Sequence, residues 1–158
     1  MKTCLVGCGG IAAVHGSVLT SGIDTEFVAA ADIKPEKAQT YAENFHTKPY
    51  PSLESMLEAE KPDVLHICTP HYLHVPMAIY SLERNINVFM EKPPAISFDQ
   101  LEELKKAAAK SEAQLGFCYK NRYNASIRAA KDLIDSGKAG KVLGARAFVT
   151  WCRCAPYD

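Results

Sequence analysis

The chain has 158 residues, and its 18 Lys and Arg balance 18 Asp and Glu, so the formal net charge is zero. That balance leaves no basic face for nucleic acid or for an anionic membrane surface. Hydrophobic residues make up 47%, but no apolar run approaches spanning length and no signal peptide precedes the first strand; the reading is one respectable core in a cytoplasmic α/β protein.

Cys4-Leu5-Val6 is an apolar strand that runs straight into Gly7-Cys8-Gly9-Gly10-Ile11-Ala12, and an amphipathic helix follows from Ile11 to Leu19. In such a strand–turn–helix one glycine reverses the chain and another lets backbone approach a pyrophosphate. A small third residue, here Ala12, lets the helix pack closely. The helix N-terminus presents unpaired N–H groups and a positive dipole end to an anion. Glu26 to Ala31 is a second buried strand, closed by Asp32. An acid about twenty residues beyond the glycines accepts hydrogen bonds from an adenosine ribose. It also repels a 2′-phosphate, which favours NAD over NADP, although Lys34 nearby works against that preference. The alternative is that Asp32 caps the helix that Pro35 opens.

Strand and helix then alternate. A helix runs from about Pro35 to Asn44, a short strand lies near Lys48-Pro49-Tyr50, and Ser52 caps a helix with Leu53, Met56 and Leu57 on one face. Val64 to Cys68 is an apolar strand, followed by a helix from Leu73 to Asn85 with Ala78, Ile79 and Leu82 inward. Ile86 to Met90 is the next strand. Ser97-Phe98-Asp99-Gln100 is a capping box for a helix with Leu101 and Leu104 inward, and Gln114 to Cys118 is a sixth strand. The order predicts a doubly wound parallel sheet of Rossmann type, with helices on both faces. Ligands of such sheets bind beyond the carboxyl ends of the strands. The loops to read are therefore the glycine turn, Asp32, Thr69-Pro70-His71-Tyr72-Leu73-His74, Glu91-Lys92-Pro93-Pro94 and Tyr119-Lys120-Asn121-Arg122-Tyr123.

Gly7-Cys8-Gly9-Gly10-Ile11-Ala12 with His15, then Asp32, Thr69-Pro70 with His74, Glu91-Lys92-Pro93 and Asn121-Arg122-Tyr123-Asn124 together resemble the Gfo/Idh/MocA oxidoreductase family. The resemblance is collinear over nearly the whole chain, and Glu91-Lys92-Pro93 is its most specific piece. It implies a dinucleotide-binding domain followed by an α/β domain on a large open sheet, and hydride transfer between nicotinamide and a carbinol carbon of a sugar or cyclitol. It implies that Gly7, Gly9, Gly10 and Asp32 hold the adenosine half, with Ile11 and Ala12 lining the turn. Thr69, Pro70, His71 and His74 would line the middle of the cofactor. Glu91 and Lys92 would sit near the nicotinamide, with Asn121 and Arg122 completing the cofactor-binding set.

Lys92 is the candidate catalytic residue. Alternation along the strand sends Glu91 and Lys92 to opposite sides, so the glutamate is not automatically its ion-pair partner. Burial beside a positively charged nicotinamide would disfavour the ammonium form, letting Lys92 take part in proton transfer or orient the substrate oxygen. The peptide bond before Pro93 is a candidate for cis. His66, His71 and His74 cluster in sequence, but His66 sits inside a strand and no metal is expected. His15 is read as a packing or loop-bracing residue, His74 as packing or hydrogen-bonding near the cofactor. The six cysteines match no zinc spacing and are read as small buried hydrophobes with reduced thiols.

Residues 1–120 form the expected dinucleotide-binding domain and 121–158 the start of an incomplete second domain. There a helix from Ala125 to Ser136 closes at Gly137, and Lys141 to Trp151 reads as a strand whose unpaired edges invite a second copy of the chain. The family's second domain typically carries an Asp and a His a turn apart, with no counterpart here. Three readings follow. The chain is a truncated NAD-dependent sugar or cyclitol dehydrogenase, inactive alone; or a non-catalytic NAD(H)-binding sensor or partner-binding module; or an assembly protein whose nucleotide site is unused.

Overall fold

The computed structural model describes residues 1–22 and 24–150. They divide into two compact units, one ending at Tyr119 and the other starting at Lys120. The first unit is a six-stranded sheet, β1 (Lys2–Val6), β2 (Glu26–Ala31), β3 (Lys48–Tyr50), β4 (Val64–Ile67), β5 (Asn87–Glu91) and β6 (Leu115–Cys118). All neighbours are parallel, in the order β3-β2-β1-β4-β5-β6. That is the order of a doubly wound dinucleotide-binding sheet, with its topological switch between β1 and β4. Pro49 is tolerated because β3 is an edge strand.

Helices α1 (Gly10–Leu19), α2 (Pro35–Phe45), α3 (Leu53–Glu60), α4 (His74–Leu82) and α5 (Phe98–Lys110) cover the sheet. Cys4, Val6, Leu65, Ile67, Val88 and Met90 pack with Leu53, Met56 and Leu57 of α3, Val75, Ala78 and Leu82 of α4, and Leu104 of α5. Leu5 and Ala30 point the other way and pack with Ala12 of α1 and Tyr41 of α2. Successive strand residues thus feed two cores, as the period of two requires. The approach of α1 to α2 depends on Gly16, where a Cβ would lie 2.6 Å from the Tyr41 hydroxyl and 2.7 Å from Phe45 Cζ.

The caps follow the sequence. Ser52 Oγ accepts from Ser55 N at 3.1 Å, and Ser97 Oγ from Gln100 N at 3.2 Å. The reciprocal arm of the second box reaches one residue further back, Gln100 Oε1 accepting from Ile96 N at 3.2 Å. A 3₁₀ turn at His71–Leu73 takes the start of the helix expected from Leu73, and α4 ends at Leu82 rather than Asn85. Asn85 adopts φ 55, a left-handed conformation that closes the turn into β5.

In the second unit a 3₁₀ turn (Lys120–Tyr123) precedes α6 (Ala125–Asp135). Asn124 caps α6 through Ser126 N at 2.9 Å, and Gly137 ends it with φ +74. The strand expected over Lys141 to Trp151 is a correction. Residues 141–150 form no strand, and Trp151, Cys152 and Cys154 lie outside the described residues. Alternating apolar residues make a strand only where a neighbour supplies the ladder, and among the described residues none does. The expected contact with a second copy loses the strand edge it rested on.

Candidate functional site

The carboxyl ends of β1 and β4 lie side by side, Val6 opposite Ile67, and the glycine turn leaves from between them. Gly7 sits at φ +91, and a Cβ there would meet Thr69 N at 2.7 Å and Cys68 C at 2.8 Å. Both the backbone conformation and the neighbouring strand therefore demand glycine. Gly9 and Gly10 are different. A Cβ on either meets nothing within 4 Å, so the fold itself leaves this space open. Gly9 is the N-cap of α1 and offers no side-chain acceptor to the first N–H groups of the helix, of which Ala12 N donates to the Gly9 carbonyl at 3.1 Å. Ala12 is fully buried beneath the turn, and its carbonyl accepts from the Tyr41 hydroxyl at 2.8 Å.

Asp32 stands at the end of β2 and braces this turn. Its Oδ2 accepts from Cys8 N at 2.9 Å and its Oδ1 from Lys34 N at 2.9 Å. The N-cap of α2 is Lys34, so the carboxylate caps the loop before the helix rather than the helix itself. Beyond β4, Thr69 Oγ1 is buried with no hydrogen-bond partner, and Pro70 and His71 are exposed. A helix N-terminus with open glycines, a carboxylate one strand away and an unspent buried hydroxyl at the switch point fit a dinucleotide.

His74 is fully buried at the start of α4. Its Nδ1 lies 2.8 Å from the Pro93 carbonyl and its Nε2 3.0 Å from the Thr69 carbonyl. His74 thus bridges the turns after β4 and β5, and the Lys92–Pro93 bond in the second turn is cis. Glu91 and Lys92 diverge as alternation requires, the glutamate buried and the lysine exposed. The described residues do not supply the desolvation asked of Lys92. Asn121 and Arg122 lie in the 3₁₀ turn of the second unit.

The sequence missed what Glu91 does. Its Oε1 lies 3.1 Å from His15 Nε2, its Oε2 accepts from Lys92 N at 3.2 Å, and the Cys118 side chain hydrogen-bonds to it from β6. Burial pushes the Glu91 carboxyl up, but the bonds from His15 and Cys118 outweigh it and hold the group below the usual carboxylate range. His15 Nδ1 faces His66 Nδ1 at 2.9 Å, and burial, aided by the neighbouring His15 imidazole, pushes His66 down to about 4. His15, Glu91 and Cys118 place ligand atoms within 4.8 Å of one another, a donor set a metal ion could use, but hydrogen bonds already account for the contacts. The three clustered histidines divide: His66 bonds to His15, whereas His74 bonds to two carbonyls and has the His71 ring 5.5 Å away. The available signal was a polar residue at a core position of an apolar strand, His66, and another at the buried end of β5, each of which requires a partner.

Burial pushes the thiols of Cys4 and Cys8 up to about 12 and that of Cys68 higher still, as inert small residues of a core should be. Among the described residues no helix is long and apolar enough to cross a membrane.

Comparison with known proteins agrees with this geometry. The chain is 28% identical over 144 residues to D-glucoside 3-dehydrogenase of Escherichia coli, covering 90% of this chain and 41% of that protein. It is 28% identical over 151 residues to inositol 2-dehydrogenase/D-chiro-inositol 3-dehydrogenase of Lacticaseibacillus casei, covering 93% and 44%. Among solved structures, the WlbA dehydrogenase of Chromobacterium violaceum, in complex with NADH and UDP-GlcNAcA, superposes with a TM-score of 0.85 at 30% identity, covering 89% of this chain and 41% of that one. The chain spans about two fifths of the length of these relatives. The model of the Gfo/Idh/MocA oxidoreductase family, NAD-binding Rossmann fold, matches residues 1–119, the whole of the sheet unit. The chain belongs to that family, and its sheet unit is the family's nicotinamide-dinucleotide-binding domain.

Proposed function

We propose that this chain is the cofactor-binding part of an NAD-dependent dehydrogenase acting on a secondary alcohol of a sugar or cyclitol. The observation that carries the reading is the opening over Gly9 and Gly10, which the fold does not fill and which faces the N-terminus of α1. Backbone N–H groups there hold the pyrophosphate, with Gly7 shaping the turn and Ile11 and Ala12 beneath it. Asp32 accepts the adenosine ribose hydroxyls and disfavours a 2′-phosphate, so NAD is preferred to NADP. Thr69, Pro70 and His71 line the middle of the cofactor. Glu91 and His74 serve from below, by holding the turns. Relatives named for glucoside and inositol dehydrogenation support the substrate class.

When bound, nicotinamide accepts the hydride from the carbinol carbon. The chain's own contribution is to hold Lys92 where its amine meets the substrate hydroxyl, to orient that oxygen and to receive or relay its proton. Residues 1–120 supply the cofactor half, and 121–158 lead into a domain that supplies the substrate pocket. Buried, unreactive thiols and zero net charge support a cytoplasmic location and offer no basic surface for nucleic acid. The test is reduction of NAD and of NADP, followed by absorbance, with a panel of inositols, hexoses and glucosides, on this chain joined to a family substrate domain. At least one polyol should reduce NAD, with NADP slower by about tenfold or more. No turnover with any polyol, despite tight NADH binding, would instead support a sensor or binding module.

A further inference from the structure

We propose that His15 and Glu91 are positioning residues that lock the Lys92 turn to helix α1, coupling the two halves of the dinucleotide site. This rests on the reading of Lys92 given above. Glu91 ends β5, and both carboxylate oxygens are engaged: Oε1 with His15 Nε2 at 3.1 Å, and Oε2 with Lys92 N at 3.2 Å. Because the carboxylate is held in its ionised form, it can only accept, so His15 Nε2 carries the hydrogen. Cys118, paired with Glu91 across β5 and β6, hydrogen-bonds to the same group from the far side. The backbone of the residue that bears the amine is therefore tied through Glu91 to the imidazole of His15.

His15 belongs to the helix whose N-terminus opens over Gly9, and it is itself clamped. Its Nδ1 meets His66 Nδ1 at 2.9 Å, and the rings of His66 and Phe89 stand 5.2 and 6.0 Å away. The registers Leu5↔His66 and His66↔Phe89 put these rings on the sheet face that α1 covers. His15 and Glu91 are 7% exposed each. Neither reaches the opening over the glycines, so their effect on the cofactor passes through Lys92 and α1. A buried hydrogen bond to an ionised carboxylate is among the stronger side-chain links, and removing one partner strands the other.

The experiment measures acetylation of Lys92 by acetic anhydride, relative to exposed Lys110 at the C-terminal end of α5, by mass spectrometry with and without saturating NADH. In the wild-type chain NADH should protect Lys92 by about tenfold, because the turn is held against the bound nicotinamide. In His15→Phe, which keeps an aromatic ring beside Phe89, NADH should still bind but protection should fall to about twofold or less. His15→Gln, whose amide can still donate to Glu91, should restore most of it. Full protection in a folded, NADH-binding His15→Phe overturns the positioning role. No protection in the wild type while NADH binds overturns the Lys92 reading, and this inference with it. Should His15→Phe fail to fold, [15N]histidine spectra of the wild type decide. A protonated His15 Nε2 that shifts on NADH addition supports the coupling, and an unprotonated or unresponsive Nε2 contradicts it.

Discussion

Gly7 and Gly9 are two residues apart and are glycines for opposite reasons. Gly7 answers to the protein, through its positive φ and the backbone of Thr69, whereas Gly9 answers to open space. The sequence named both but could not separate them, because the distinction depends on β4 lying beside the turn. Asp32 was legible by its distance from the glycines, although its bond to Cys8 N was not. His66 and Glu60 were not legible as ionisable groups, since their partners are distant in sequence. His66 is held at about 4, well below its ordinary 6.5, first by burial and then by His15, so the folded chain keeps it neutral while the unfolded chain binds a proton. Its contribution is therefore complete above about pH 6.5 and is lost as pH falls toward 4, on the order of 3 kcal/mol. Glu60 accepts from Tyr50, Lys48 and Lys2, which lower it from 4.5 to about 2, so its contribution is present above pH 4.5 and is lost as pH falls toward 2. Urea midpoints should drop between pH 7 and about pH 4 in the wild type and drop much less in His66→Phe. A midpoint independent of pH over that range would remove the buried neutral histidine from this account.

At the scale of elements, periodicity and caps carried most of the fold. Each of the six strands of the sheet unit lies close to where the sequence placed it, and Ser52 and Ser97 cap the helices they precede. The exception is instructive. Lys141 to Trp151 has the apolar content of a strand, but a strand is a property of a pair, and no partner is present among the described residues. Helix packing was also beyond sequence reading at Gly16, which looks like an ordinary helix interior. Replacing a helix-interior glycine by alanine stabilises an exposed helix by roughly 1 kcal/mol. Here a Cβ would overlap Tyr41 and Phe45, and overpacking of a core costs about 1–3 kcal/mol. The clash wins because Tyr41 is pinned by its bond to the Ala12 carbonyl. Gly16→Ala should therefore lower the melting temperature, by roughly 4 °C per kcal/mol for a unit of this size. An equal or higher melting temperature would show that α2 yields freely and that the α1–α2 contact is loose.

For the molecule as a whole, the doubly wound topology decides where chemistry can occur. The switch between β1 and β4 brings together the glycine turn, Asp32 and the turns bearing Thr69 and Lys92, residues spread over most of the sheet unit. The positions of the glycine turn, of Asp32 and of the loops at the strand ends were legible because strand ends and glycine spacing are local signals. The supporting layer of His15, His66, His74, Glu91 and Cys118 was not, because each of its bonds joins elements that only the fold makes neighbours. The opening over Gly9 is the proposed seat of the dinucleotide pyrophosphate. Calorimetric titration of NADH into the wild-type chain and into Gly9→Val tests it most directly. The wild type should bind one NADH, and Gly9→Val should keep its melting temperature, because nothing in the fold occupies the space, while its affinity falls by about tenfold or more. Equal affinity in the two chains, or no binding to the wild type, would contradict the claim.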